Sequence, residues 1–78
     1  MNINGTEYRL QVASDVERNG LGLECYRTNK SEEELVLEVF RNDSELTFVY
    51  SQFTQDLPLE LIEYVVSISR QKLGEFVP

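Results

Sequence analysis

Apolar and polar residues alternate along four stretches in the first two thirds of the chain. Between Tyr8 and Val16 the even positions are mostly apolar and the odd positions polar, and the same period of two recurs three times further on. This period is typical of strands that bury one face of a sheet. The pattern predicts four strands, at about residues 7–16, 21–28, 34–42 and 45–53.

After Phe53 the spacing of apolar residues changes to three and four, which predicts an amphipathic helix at about residues 58–73. Pro58 suits the first position of a helix, and Gly74 is a natural stop. The sequence therefore predicts an α+β fold, in which a four-stranded antiparallel meander carries one C-terminal helix on one face. The 78 residues leave room for a single domain, 1–78.

Two of the three hairpins allow a prediction of strand register. A two-residue loop between the third and fourth strands sets Val39 opposite Phe48, so that apolar residues face each other. A loop of about three residues between the second and third strands sets Cys25 opposite Leu35 in the same way. Both registers keep the apolar residues on the face that the helix covers.

The register of the first hairpin stays open. Asn19-Gly20 is a strong signal for a tight turn, and such a turn pairs Val16 with Leu23. A longer loop, from about residue 14 to residue 21, pairs Val12 with Leu23 instead. The sequence supports both alternatives.

The face that the helix leaves open carries charged and apolar residues together. An open sheet face should be polar, and a contiguous apolar patch on it is typical of an interaction site. The alternative is that the termini cover the patch, through Phe76 and Val77 or through the arm of residues 1–6. We expect association with a second copy or with another protein through a candidate interaction face of seven residues: Glu24, Tyr26, Val36, Glu38, Phe40, Val49 and Phe53.

The charge of the chain excludes some partners. Fourteen acidic against seven basic residues give a net charge of −7, which disfavours binding to nucleic acid or to an anionic membrane surface. No stretch approaches the ~20 apolar residues of a membrane span, and no secretory signal is visible. A single cysteine, Cys25, fits a reducing compartment. We expect a soluble, cytoplasmic protein.

The chain lacks the residues that most catalytic schemes need. It has no histidine, no cluster of metal ligands and no glycine-rich phosphate loop, so we expect no enzyme activity, no cofactor and no metal. One alternative is a small-molecule or cation-binding module, because Glu24 and Glu38 lie on the same face of neighbouring strands. A further alternative is an acidic mimic of nucleic acid or an immunity-type inhibitor.

Three segments resemble a set of small bacterial proteins of unknown function. These are the GLGLE run of residues 20–24, the EVFR run of residues 38–41 and the DLPLELIE run of residues 56–63. The resemblance implies a bacterial source and a shared fold, without an activity. If the set shares a site, it implies five positions to test: Glu24, Glu38, Phe40, Arg41 and Asp56.

Overall fold

The computed structural model describes all 78 residues. It is an α+β fold in which an antiparallel sheet with strand order β1-β2-β3-β4-β5 precedes one helix. The elements are β1 (Asn2–Ile3), β2 (Thr6–Asp15), β3 (Gly20–Asn29), β4 (Glu32–Asn42), β5 (Thr47–Gln52) and α1 (Leu59–Leu73). The predicted meander and C-terminal helix are confirmed, whereas the predicted number of four strands is wrong.

The additional strand, β1, forms a short hairpin with the start of β2. Its turn is Asn4-Gly5, and both residues have the positive φ angles, 52° and 88°, that a type I′ turn requires. The Tyr8 amide donates to the Met1 carbonyl at 2.7 Å, and the terminal amine of Met1 donates to the Tyr8 carbonyl at 3.0 Å. The hairpin therefore covers only the beginning of the outer edge of β2.

The first hairpin has the register of the longer-loop alternative. Val12 lies opposite Leu23, but the pairing continues to Asp15 opposite Gly20, so the loop is only residues 16–19. Asn19 has a positive φ of 56°, whereas Gly20 begins β3. Of the two alternatives that the sequence leaves open, the tight turn at Asn19-Gly20 is therefore not the one formed.

The other two predicted registers are also wrong: that of β4 with β5 differs by two residues, and that of β3 with β4 differs by two as far as Cys25 and by one beyond it. Val39 lies opposite Tyr50 because the loop between β4 and β5 has four residues, with Leu46 at a φ of 57°. The Asn42 Oδ1 atom stabilises this loop by accepting from the Ser44 and Glu45 amides at 3.0 and 2.9 Å. A shift of two residues keeps the side chains of β5 on their predicted faces.

A bulge in the pairing of β3 with β4 reverses one part of the face assignment. Cys25 lies opposite Leu37 and Tyr26 opposite Leu35, so that Val36 is the extra residue. Val36 is fully buried in the core beneath α1, whereas Leu35 is half-buried beside Tyr26 on the other face. The prediction that Val36 lies on the open face is therefore wrong.

The core lies between α1 and the central strands. The helix begins after Pro58, whose carbonyl accepts from the Leu61 amide at 3.1 Å, and it ends at Gly74, which has a φ of 76°. The buried helix residues recur every four positions and pack over β3 and β4. They are Leu61, Val65, Ser69 and Leu73.

Candidate functional site

The centre of the predicted open face is covered by Arg18, from the loop between β2 and β3. Its Nη1 and Nη2 atoms donate to the two carboxylate oxygens of Glu38, both at 2.9 Å, and its Nε atom donates to Asp15 at 2.6 Å. The guanidinium carbon lies 3.8 Å from the centre of the Phe40 ring. Glu38 and Phe40 are consequently only 5% and 2% exposed. The two residues that the sequence places at the heart of an interaction face are closed off from solvent.

Two glycines make room for this arrangement. A Cβ atom added at Gly22 would lie 2.5 Å from Oε2 of Glu38, and one added at Gly20 would overlap the Arg41 carbonyl oxygen. The GLGLE segment therefore brings the backbone of β3 close to its neighbour β4. Its two glycines serve the packing of Glu38 and Phe40 on the adjacent strand.

The charges around Arg18 stabilise one another. The hydrogen bonds that Arg18 donates to Glu38, and then the one it donates to Asp15, raise the pKa of its guanidinium above the usual range. The same Arg18 side chain, followed by its backbone amide, lowers the pKa of Asp15. A bidentate contact and a stacked aromatic ring are the arrangement that arginine, unlike lysine, can make. Each charged side chain of this cluster thus has a partner of opposite charge.

A second group of polar contacts covers the other half of this face. Arg9 donates from Nε and Nη2 to Glu33 at 2.8 Å each, and its guanidinium lies 4.6 Å from the centre of the Tyr26 ring. The Tyr26 hydroxyl donates to Glu24 at 2.9 Å, and Gln11 donates to the same carboxylate at 3.4 Å. The hydrogen bond to Glu24 raises the pKa of Tyr26.

Glu24 and Glu38 lie directly opposite each other, as neighbours on β3 and β4. Each carboxylate has its own partners, however, because Arg18 binds Glu38 while Tyr26 and Gln11 bind Glu24. The structure contains no group of three or more His, Cys, Asp or Glu residues that could hold a metal ion. The two carboxylates are therefore held by separate hydrogen-bond donors.

The two further positions, Arg41 and Asp56, lie away from this face. Arg41 is buried under the C-terminal segment, where Nη1 donates to the Leu73 carbonyl and the guanidinium binds Asp43 at 2.9 and 3.0 Å. Asp43 also accepts from the Val77 amide at 3.1 Å. Asp56 is exposed in the loop before α1, with a φ of 58°. The structure therefore does not bring the five positions of the bacterial resemblance into one site.

The remaining members of the predicted face, Val49 and Phe53, are 43% and 55% exposed. Val49 lies in β5 and Phe53 directly follows it, and β5 pairs with β4 on one side only and forms an edge of the sheet. Tyr50, on the opposite face of the same strand, is 42% exposed. Apolar exposure thus follows β5 on both of its faces.

One hydrogen bond shows which backbone groups of β5 point toward β4 and which point away from it. The Phe53 amide donates to the Val36 carbonyl at 2.8 Å, and paired residues in an antiparallel ladder alternate between bonded and non-bonded positions. Since the pairing continues regularly to Thr47, the backbone groups of Phe48, Tyr50 and Gln52 point away from β4. These three residues present free backbone donors and acceptors to solvent.

A groove of about 170 Å³ runs along the inner side of this edge, between β5 and α1. Phe48, Tyr50 and Val66 contribute apolar surface to it, and Arg70 lies at its end with its guanidinium 4.6 Å from the Phe48 ring. Val66 is 47% exposed. The free edge and the groove together form the candidate site, which we call the β5 edge (Thr47–Phe53 with Val66).

The interaction face predicted from the sequence does not include this edge, because the alternation of residues between the two faces does not distinguish an edge strand from a central one. One signal was present, since residues 47–53 contain no charged residue. Edge strands are commonly protected by charged side chains or proline.

Comparison of the chain with protein-family models, with curated proteins and with solved structures finds no match. The resemblance to small bacterial proteins therefore stays a prediction. No helix in the structure has the length and apolar character needed to cross a membrane.

Proposed function

We propose that this protein is a non-enzymatic protein-association module that binds through the β5 edge. The observation that carries the proposal is an uncharged edge strand whose Phe48, Tyr50 and Gln52 backbone groups face solvent. An added strand can satisfy those groups, while the side chains on both faces of the new pair supply specificity. The proposal keeps the expected function and moves its surface from the open face to the edge.

The exposed apolar side chains support this choice of surface. Tyr50 and Val66 lie on the helix side of β5, and Val49 and Phe53 lie on the other side, so an added strand would cover both pairs. Burial of apolar area is the main favourable term in association, and aromatic residues are enriched where it is strongest. The β5 edge combines this apolar area with unpaired backbone groups.

The opposite edge of the sheet is better protected. Beyond the residues that β1 covers, β2 also has free backbone groups, at Leu10, Val12 and Ser14. Charged residues occur along it, however, at Arg9 and Asp15. Charged side chains are a common means by which an edge strand avoids pairing with another chain. The contrast between the two edges favours β5 as the working surface.

We include in the same proposal that the protein is not an enzyme and that it is located in the cytoplasm. Burial raises the pKa of the Cys25 thiol to about 11, so that it behaves as a small apolar residue and not as a nucleophile. A thiol without a partner cysteine is compatible with the reducing conditions of the cytoplasm. Histidine, the commonest general acid or base, is missing from the chain.

The test is affinity capture with matched baits in cells of the source organism that also express the untagged chain. Tyr50→Lys places a charge on the β5 edge, and Val12→Lys places the same charge on the β2 edge, where Val12 is 45% exposed. We expect at least one protein, either the untagged chain or another, to bind wild type and Val12→Lys and to be reduced about tenfold or more with Tyr50→Lys. Three identical binding profiles would refute the proposal.

A further inference from the structure

We infer that the partner of the β5 edge is a second copy of this chain, whose β5 pairs antiparallel with the first about a two-fold axis at Tyr50. The inference rests on the proposed function and names the partner. Two sheets of five strands would then continue across the interface, with both helices on the same side.

The distribution of charge points to a second copy. The chain has a net charge of −7 and 27% charged residues, yet residues 47–53 contain none. A basic partner finds no carboxylate along this strand, and the only cation that lines the adjacent groove is Arg70, at the end of the groove against Phe48. Two copies repel each other least where neither carries charge, because Coulomb repulsion between surface charges decays within about 10 Å at moderate salt. The β5 edge is such a surface for this chain.

The outward-facing backbone groups of β5 select one register for the pairing of the two copies. Only Phe48, Tyr50 and Gln52 have outward-facing groups within β5, and an antiparallel partner must meet them with outward-facing groups of its own. A two-fold axis at Tyr50 sets Tyr50 opposite Tyr50 and Phe48 opposite Gln52 of the partner subunit. This register uses all three residues of each copy, whereas a shift of one residue in the position of the axis leaves some of them without a partner.

The same register covers the exposed side chains. On the helix side, the two Tyr50 side chains meet directly, and the grooves beside the two helices join into one. On the other side, Val49 lies opposite Ser51 of the partner subunit, and Phe53 lies opposite Thr47 of the partner subunit. Only uncharged side chains therefore meet along the paired strands. Such self-complementarity is what a closed two-fold interface requires.

Pairing of β5 with the β2 edge of another copy predicts a different assembly. That contact is heterologous, so each copy keeps one free β2 and one free β5 edge and the assembly continues to grow. It also places the charged residues Arg9 and Asp15 beside the uncharged strand. The two-fold pairing of β5 ends at a dimer.

Disulfide trapping of the purified full chain tests the register. Tyr50→Cys places two thiols opposite each other, at the Cα separation of about 5.5 Å of a hydrogen-bonded pair, which a disulfide can span. Gln52→Cys places them four residues apart along the strand, about 14 Å, and cannot cross-link with itself in this register. Val12→Cys is the matched control on the β2 edge, and the native Cys25 is fully buried. Circular dichroism checks that each variant is folded.

We expect Tyr50→Cys to form at least about tenfold more covalent dimer under mild oxidation than either Val12→Cys or Gln52→Cys. A mixture of Phe48→Cys and Gln52→Cys should cross-link mainly between the two variants. Equal cross-linking of the three single variants, or cross-linking of Gln52→Cys with itself above that of Tyr50→Cys, would overturn the inference.

Failure of the inferred dimer can be distinguished from failure of the proposed function. If Tyr50→Cys forms no covalent dimer while a different protein is captured in a Tyr50-dependent manner, the second copy is excluded and the association module stands. If no captured species of any kind depends on Tyr50, both proposals fail.

Discussion

The Arg18 guanidinium lies against the ring of Phe40, 3.8 Å from its centre, while both of its terminal nitrogens donate to Glu38. A residue of the β2–β3 loop thereby covers the face opposite the helix. The sheet needs no second layer at this point, because the guanidinium covers the Phe40 ring and pairs with the Glu38 carboxylate at the same time. This relationship explains why the open face is not the most exposed apolar surface.

Loss of the Arg18 side chain should destabilise the fold. In Arg18→Gln the carboxylate of Glu38, whose side chain is only 6% exposed, loses its bidentate partner, and the Phe40 ring loses its cover. We expect the free energy of unfolding to fall by about 1–2 kcal/mol, measured by urea denaturation, since Arg18 itself is partly exposed.

Arg27→Gln is the matched control, because the carboxylate that Arg27 pairs with, Glu34, has a side chain that is 56% exposed, against 6% for Glu38. It should cost less than about 0.5 kcal/mol. Equal losses for the two variants would contradict the account of the Arg18 cluster.

Gly22→Ala should disturb the contact between Arg18 and Glu38 from the neighbouring strand β3. The added Cβ would lie 2.5 Å from Oε2 of Glu38, so the carboxylate must move away from Arg18. We expect a loss of stability of about 1–3 kcal/mol. In a Glu38→Ala background the obstacle is absent, and the same glycine substitution should cost less than half as much. An unchanged cost in that background would show that the glycine serves another purpose.

The C-terminal segment should loosen when Arg41 is replaced. Arg41→Gln removes the donor to the Leu73 carbonyl and leaves Asp43, whose side chain is 6% exposed, without its charged partner. We expect Tm to fall by about 10 °C or more and the Val77 amide to lose protection from hydrogen exchange. Lys72→Gln removes the same charge from the last turn of α1 and should lower Tm by only a few degrees.

Acid should destabilise the protein through carboxylates whose pKa is lowered in the folded state. Burial alone would raise the pKa of Asp43, but hydrogen bonds from the Val77 amide and Arg41 outweigh it and lower the pKa below its usual 3.8. Arg18 lowers the pKa of Asp15. A lowered folded-state pKa stabilises the fold above the unfolded value, and this stability is lost as the pH falls through the folded value.

We therefore expect the urea midpoint to be constant above roughly pH 5 and to fall progressively below pH 4, where these carboxylates become protonated. Asp43→Asn should begin from a lower midpoint at pH 7 and show a shallower decline below pH 4. Parallel profiles for wild type and Asp43→Asn would contradict the assigned role of this carboxylate.

The spacing of apolar residues along the chain predicts the order of strands and helix, because a strand or helix that buries one face must repeat apolar residues at its own period. Strand ends and registers depend on loop conformations instead. The four-residue loop between β4 and β5 relies on the Asn42 side chain and on a positive φ at Leu46, a residue that seldom adopts it. The bulge at Val36 leaves the alternating pattern of the sequence intact while it puts both Val36 and Leu35 on the faces opposite to those predicted, so no count of apolar positions reveals it.

The predicted interaction face was correct for the placement of Phe40 on the side away from the helix, and wrong for Val36. The exposure of this face could not be predicted, since it depends on where the long side chain of Arg18, within the loop of residues 16–19, lies. The Asn4-Gly5 turn was accessible from sequence as a hairpin signal. The edge position of β5 follows from the meander itself once the last strand is identified.

The most direct test of the β5 edge is the mass of the purified chain, measured by light scattering coupled to size exclusion over a range of concentrations. The account predicts that wild type and Val12→Lys approach twice 9.1 kDa as concentration rises, whereas Tyr50→Lys, which brings two ammonium groups together at the two-fold axis, stays at 9.1 kDa. A wild-type chain that is monomeric at every concentration, or a Tyr50→Lys variant that dimerises as wild type does, would contradict the inferred dimer.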